Sequence, residues 1–280
     1  MPVLMPEPQN TLLGKDTVYR DQYNPDLLQP IPRALGRDAI GDHDFRGTDI
    51  WRLYELSWLN PQGIPQTAVA ELLVPASSHS IVESKSLKLY AGSFAMTRVS
   101  GKEEVASRMQ KDLSACLGAE VKVRLYSIKD YPGDVSTMPG FSLDEVTLPQ
   151  DCVFKTYETE PSFLAFDSQS TQTVSETFST TAFRSLCPVT GQPDLASVMI
   201  NYKGRAIDPA GLLKYLVSYR CHKGFHEQCV EQIYHDLRQA FNPECLEVYA
   251  CFTRRGGIDI NPFRSSVQDE PSEIIREKRQ

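Results

Sequence analysis

A chain of 280 residues, 41% apolar and 9% aromatic, can bury a substantial core; it is long for one compact unit but comfortable for two. Its formal net charge of −7 makes the surface as a whole repel nucleic-acid phosphates and anionic lipid, so any anionic ligand must be held by local cations. No stretch approaches the roughly 20 apolar residues that span a bilayer, and the opening MPVLMPEPQNTLLGKD lacks the basic and apolar regions of a signal peptide, so a soluble cytoplasmic protein is expected.

Residues 1–45 carry prolines at 2, 6, 8, 25, 30 and 32 and no sustained periodicity, which predicts an extended arm over a neighbouring surface. Residues 48–59 (TDIWRLYELSWL) and 67–74 (TAVAELLV) flank the turn Asn60-Pro61-Gln62-Gly63 and read as a hairpin. Residues 83–94 and 102–117 read as helices, the second with Val105, Met109, Leu113 and Leu117 on one stripe. Residues 121–125 (VKVRL) alternate as a strand, and residues 130–180, rich in Pro, Gly, Ser, Thr and acids, read as the region between two halves.

The second half repeats the order. Residues 181–185 and 195–202 are strand-like, and Asp208-Pro209 opens a helix with a capping aspartate and a proline in the first turn. A further helix from about Phe225 places Cys229, Val230, Ile233, Leu237 and Phe241 on one face and stops before Asn242-Pro243; residues 247–253 form a last strand. Strand, strand, helix, helix, strand, twice over, is an α+β plan with helices layered on antiparallel sheet. The implied boundaries are an arm over 1–45, a first half over 46–135, a linker region over 136–180, a second half over 181–264 and a polar tail over 265–280.

Seven cysteines with no C-x-x-C pair read as reduced thiols. One of them, Cys187, sits in Ser185-Leu186-Cys187-Pro188-Val189-Thr190-Gly191-Gln192-Pro193-Asp194, a stiff, exposed turn between two strands. A thiolate there is a candidate nucleophile, and Asp194 could exchange protons with it or with a substrate; equally, Cys187 could be a small core residue and Asp194 a turn former. Residues 221–229 (CHKGFHEQC) gather four soft or borderline ligands, two cysteines and two histidines, which raises zinc, although the spacing matches no common finger. Alternatively Cys229 is buried while His226 supplies a proton and Glu227 accepts hydrogen bonds from an amino-substituted heterocycle; the bland reading of Glu227 is an acid favoured by the helix dipole. Glu83-Ser84-Lys85-Ser86 at one helix start and Arg254-Arg255-Gly256-Gly257 after a strand both suit phosphate, or are a capped helix start and an ordinary turn. Neither G-x-G-x-x-G nor G-x-x-x-x-G-K-[ST] occurs, so a dinucleotide would be held by side chains and loop amides.

Taken together, residues 83–90 (ESKSLKLY), 185–194 (SLCPVTGQPD), 225–231 (FHEQCVE) and 254–262 (RRGGIDINP), in that order, resemble the 7-cyano-7-deazaguanine reductase family of queuosine biosynthesis, in its long form built from two tandem tunnelling-fold (T-fold) halves. The resemblance covers most of the chain from about Thr11 and departs from the family pattern at residues 91–95, at Cys221 and at Lys223-Gly224. It implies NADPH-dependent reduction of a nitrile to a primary amine, with two NADPH per turnover, no metal, and assembly as a homodimer or larger homo-oligomer. It implies Cys187 as the nucleophile that forms a covalent thioimide, with Asp194 and His226 as its catalytic companions. Val82, Glu83, Ser84, His226 and Glu227 would bind the deazapurine, and Ser84, Lys85, Arg255 and Gly256 the NADPH. The competing reading is a zinc-dependent T-fold cyclohydrolase acting on a purine or pterin through the cluster at 221–229; a nucleic-acid-binding module fits the acidic balance poorly.

Overall fold

The computed structural model describes residues 19–132, 134–150 and 152–280, so the first 18 residues of the expected arm lie outside the described residues. In chain order the elements are β1 (Pro30–Pro32), α1 (Ala34–Ile40), β2 (Gly47–Leu59), β3 (Pro65–Pro75), β4 (Ser80–Val82), α2 (Ser84–Gly92), α3 (Lys102–Leu117) and β5 (Lys122–Tyr126). They continue with β6 (Phe141–Ser142), β7 (Thr173–Leu186), β8 (Pro193–Arg205), α4 (Pro209–Val217), α5 (His226–Phe241), β9 (Cys245–Phe252) and β10 (Ile258–Ser265).

The β2–β3 hairpin forms as its turn chemistry dictates, with Leu59 opposite Pro65 and the Asn60 side chain accepting the Ile64 N–H at 2.8 Å. Helix α3 buries the fourfold stripe read from the sequence, and Gly118 ends it in the left-handed conformation. Eight strands make one sheet in the order β5-β3-β2-β10-β9-β8-β7-β6, antiparallel except where β6 meets β7. The helices share one face of it. Around α2 and α3, Trp51, Leu72, Leu87 and Met109 form one cluster; around α4 and α5, Val198, Leu212, Ile233 and Val248 form another. The alternate residues Ile50, Tyr249, Cys251 and Phe263 make a smaller layer on the opposite face with Met138 and Ile275.

Three regions differ from the sequence reading. The arm holds α1, because Arg33 and Arg37 reach carboxylates inside the molecule and fix the segment that carries them. Strand β7 begins at Thr173, inside the expected linker; its first residues are polar because they lie near the sheet edge, half exposed. The polar tail is packed down at its end: Ile275, Glu277 and Gln280 are buried, and Gln280 Nε2 donates to Phe252 O at 2.9 Å and to Asn261 Oδ1 at 2.5 Å.

One feature of the sheet decides where a ligand can enter. Strand β10 pairs with β2 from Ile258 to Arg264 but with β9 only at Phe263, Arg264 and Ser265. Pairing with β9 stops at Pro262, which has no N–H to donate, and the two strands part. The cavity described next opens on the helix face of this gap.

Candidate active site

A cavity of about 390 Å³ lies between the start of α2, the start of α5 and the loop joining β7 to β8. Cys187, Asp194, His226, Glu227, Val82, Ser84, Lys85, Arg255 and Gly256 all line it, together with Ile258 and Ile260 from the parted strand. Segments more than 170 residues apart in the chain, such as Val82 and Arg255, therefore share one wall.

The nucleophile candidate sits at the mouth of a hairpin in which Ser185 faces Asp194 and Leu186 faces Pro193. Within the loop the Cys187 N–H donates to Gln192 O and the Gly191 N–H to Cys187 O, both at 2.9 Å; Gly191 takes φ 68°, which a side chain would strain. Outside it, Leu186 N–H donates to His222 O at 2.8 Å and Gly224 N–H to Leu186 O at 3.1 Å, so the segment ahead of α5 clamps the loop. The loop is stiff, as its prolines require, but Cys187 is only 7% exposed. The turn itself is exposed from Thr190 to Pro193, as expected, but Cys187 is packed against the cavity wall instead of being presented to bulk water.

Asp194 is the second residue of β8 and is buried. Arg255 Nη1 donates to its Oδ1 at 2.6 Å, and His226 Nε2 lies 3.4 Å from the same oxygen. Arg255, read from the sequence as a phosphate clasp, thus uses one N–H on Asp194 and retains four for other acceptors. The imidazole of His226 lies flat on Phe252, centroids 3.8 Å apart and planes 8° apart, and its Nδ1 is buried with no partner. Phe252 escaped the sequence reading; its signal was an aromatic residue at the end of a strand.

The two helix starts carry acids in different states. Glu83 caps α2: its Oε1 accepts the Lys85 N–H at 2.8 Å and its Oε2 the Ser86 N–H at 2.7 Å. It is turned onto its own helix and is not among the cavity-lining residues. Burial raises its carboxyl, and these N–H bonds oppose the rise. Glu227, in the first turn of α5, is 2% exposed and its Oε1 has no hydrogen-bond partner. Burial, reinforced by the charge of Asp49 and opposed by Arg33 and Arg264, pushes its carboxyl up to about 8. A buried, unpartnered acceptor facing a cavity is complementary to a ligand N–H.

The cluster that suggested zinc is dispersed. Cys221 is exposed, His222 Nδ1 lies 3.0 Å from Thr159 Oγ1, His226 faces Asp194, and Cys229 is fully buried on the core side of α5. Among the described residues no three of His, Cys, Asp and Glu are arranged to hold a metal ion, and no helix is long and apolar enough to cross a membrane. The cyclohydrolase reading therefore finds no ligand set among the described residues.

Comparison with known proteins converges on one family. Residues 19–125 match the model "Nitrile reductase, 7-cyano-7-deazaguanine-reductase N-term", and residues 193–271 match "QueF-like protein". The NADPH-dependent 7-cyano-7-deazaguanine reductase of Burkholderia thailandensis is 50% identical over 277 residues, covering 98% of this chain and 99% of the relative. That of Burkholderia orbicola is 49% identical over 278 residues, with the same coverage. Superposition on the apo form of an archaeosine synthase QueF-Like gives a TM-score of 0.30 at 21% identity over 34% of this chain, too slight a likeness to inform the fold. With relatives of that name matching nearly its whole length at about half identity, this chain belongs to the NADPH-dependent 7-cyano-7-deazaguanine reductases.

Proposed function

We propose that the protein reduces the nitrile of 7-cyano-7-deazaguanine to the primary amine 7-aminomethyl-7-deazaguanine, through a thioimide on Cys187 and at the cost of two NADPH. The observation that carries this reading is the convergence in one cavity of a thiol, a buried carboxylate held between Arg255 and His226, and the unpartnered acceptor of Glu227.

Each group has a chemical task. Glu227 accepts N–H groups of the deazaguanine ring, and Val82 and Ser84 close over the ring from the α2 side, where the Glu83 cap holds the chain in place. Cys187 adds its sulfur to the nitrile carbon while a proton passes to the nitrile nitrogen, turning a triple bond into a C=N that accepts hydride. After the first reduction the C–S bond breaks, the thiolate leaves, and an imine remains for the second. Asp194, which lines the same cavity as Cys187 and is held by Arg255 and His226, passes protons to nitrogen at each stage in this reading. Two hydrides and two protons convert the nitrile to the amine, which balances four electrons and four hydrogens.

The residues present suit a dinucleotide, which supplies the hydrides when bound. Ser84 and Lys85 stand at a helix start, Arg255 follows β9, and at Gly256, with φ 58°, an added Cβ would lie 3.1 Å from Lys88 Nζ. Within this reading the ranges around β2 to β5 and β7 to β9 are tandem T-fold halves. The repeated order of strands and helices supports that, as does the placement of both helix pairs on one sheet face. A cytoplasmic homo-oligomer is the accompanying proposal.

The test is stoichiometric. Purified protein, 7-cyano-7-deazaguanine and NADPH should give two NADPH oxidised per amine formed, by absorbance and by mass spectrometry of the product. A ratio of one, with an imine or its hydrolysis product accumulating, would contradict the reading.

A further inference from the structure

Beneath Glu227 lies a set of buried charges that the chemistry above does not use. Arg33, just ahead of α1, donates from Nη2 to Asp49 Oδ2 at 2.5 Å, and Arg264 on β10 donates from Nη1 to Asp49 Oδ1 at 2.7 Å. Arg264 Nη2 and Arg37 Nη2 reach Glu231 Oε1 at 2.8 and 2.7 Å, and Arg33 Nη1 comes within 3.5 Å of it. The side chains of Asp49 and Arg264 are wholly buried. Burial works against the charge on Asp49, but Arg264 and Arg33 outweigh it and hold its carboxyl below the usual range; Glu231 is held low in the same way, with Arg264 the leading cation.

Three guanidiniums here meet two carboxylates, a surplus of one positive charge. Glu227 is one helical turn from Glu231 on α5, and a third carboxylate at this place would neutralise the group. The charged groups acting on Glu227 are Asp49 from β2, Arg33 from the segment before α1 and Arg264 from β10; its own helix adds His226 and Cys229 beside it and Glu231 beyond. The network draws on the N-terminal segment, the first half, α5 and the last strand; none of Arg33, Arg37, Asp49, Glu231 and Arg264 lines the cavity, whereas Glu227, one turn from Glu231, does.

We propose that Arg33, Asp49 and Arg264 are positioning residues of the active site, a buried charge set that fixes the ionisation of Glu227 and thereby selects ligands presenting N–H donors to it. This rests on the reading that Glu227 accepts hydrogen bonds from the deazaguanine. Arg33 and Arg264 favour the carboxylate form and Asp49 opposes it, so the network holds Glu227 between two opposed influences. Ligand binding, which adds donors to the open oxygen, then completes the ionised state.

The sign of each influence makes the proposal testable. Glu227 can be titrated directly by the infrared band of its protonated carboxyl, identified by its loss in Glu227→Gln. The midpoint should move to higher pH in Arg33→Met, to lower pH in Asp49→Asn, and back towards the original in Arg33→Lys. On a Cys187→Ala background, which blocks covalent capture, the affinity for 7-cyano-7-deazaguanine near neutral pH should fall in Arg33→Met by roughly tenfold per unit of that shift. It should hold or improve in Asp49→Asn. A merely structural network predicts loss in both variants, so midpoints that move together, or not at all, overturn the proposal. Lost packing would admit water to Glu227 and lower its midpoint in either variant, so the rise in Arg33→Met is the deciding result. Where that variant fails to fold, the midpoint is read in an Asp49→Asn protein whose circular dichroism and Tm match the parent's, and a midpoint that stays in place there overturns the proposal. Midpoints that move as stated in a protein that never binds the nitrile would uphold the network and overturn the substrate reading instead.

Discussion

Two helices open onto the same cavity with an acid at their starts, and they treat it in opposite ways. At α2 the carboxylate of Glu83 is saturated by its own backbone, one oxygen on Lys85 N–H and the other on Ser86 N–H. At α5 the capping contact comes instead from Gln228 Oε1, which accepts the Phe225 N–H at 3.0 Å, and Glu227 is left buried with an open oxygen. Glu83 is explained by helix stability alone; Glu227 is not, because an isolated α5 would gain nothing from burying an unsatisfied acid. An acid at a helix start is therefore a poor sign of function by itself. Whether its oxygens are already satisfied is the better one.

The comparison yields a ranked set of outcomes. The largest belongs to the α5 side, where His226 and Arg255 converge on Asp194. Asp194→Ala should slow turnover by roughly 10² to 10⁴ while leaving the protein folded, as circular dichroism and NADPH consumption would show together. Full activity would remove Asp194 from the chemistry.

Next comes His222, whose backbone clamps the nucleophile loop ahead of α5. Burial holds its imidazole down to about 4 from an ordinary 6.5. Between those values the unfolded chain takes up a proton that the folded one refuses. Stability is therefore lost as pH falls through that window, by about 3 kcal/mol at its lower end. His222→Asn should flatten the dependence of Tm on pH there; an unchanged slope would mean that the imidazole takes up its proton without unfolding.

Glu227→Gln and Glu83→Ala then separate the two helix starts directly. The first should weaken substrate affinity by about 10-fold to 100-fold, the worth of a charge-assisted hydrogen bond, with Tm unchanged or raised because an unpaired buried acid is gone. The second should lower the stability of the unliganded protein by about 1 kcal/mol through loss of the cap. A drop in Tm for Glu227→Gln as large as that for Glu83→Ala would erase the distinction.

Much of this was readable in the sequence. The stripe Val105, Met109, Leu113 and Leu117 is local, and each member is fully buried as its spacing requires. Cys187 and Asp194 stand seven residues apart around prolines and a glycine, so their shared wall follows from the hairpin between them. The buried charges were not readable. Arg33 pairs with Glu231 198 residues away, and Arg264 with Asp49 across 215, distances over which no spacing rule acts. Asp49 was hidden further by its strand, which is covered on both faces and so shows no alternation to mark it as unusual. The parting of β9 from β10 at Pro262 was visible as a proline, but its meaning depends on which strand lies alongside.

The account turns on the bond between Cys187 and the nitrile carbon. Mixing the protein with 7-cyano-7-deazaguanine in the absence of NADPH and weighing the intact chain should show an adduct of one ligand mass, absent in Cys187→Ala. An adduct that persists in Cys187→Ala, or none in the unaltered protein under conditions where it turns over, would contradict the account.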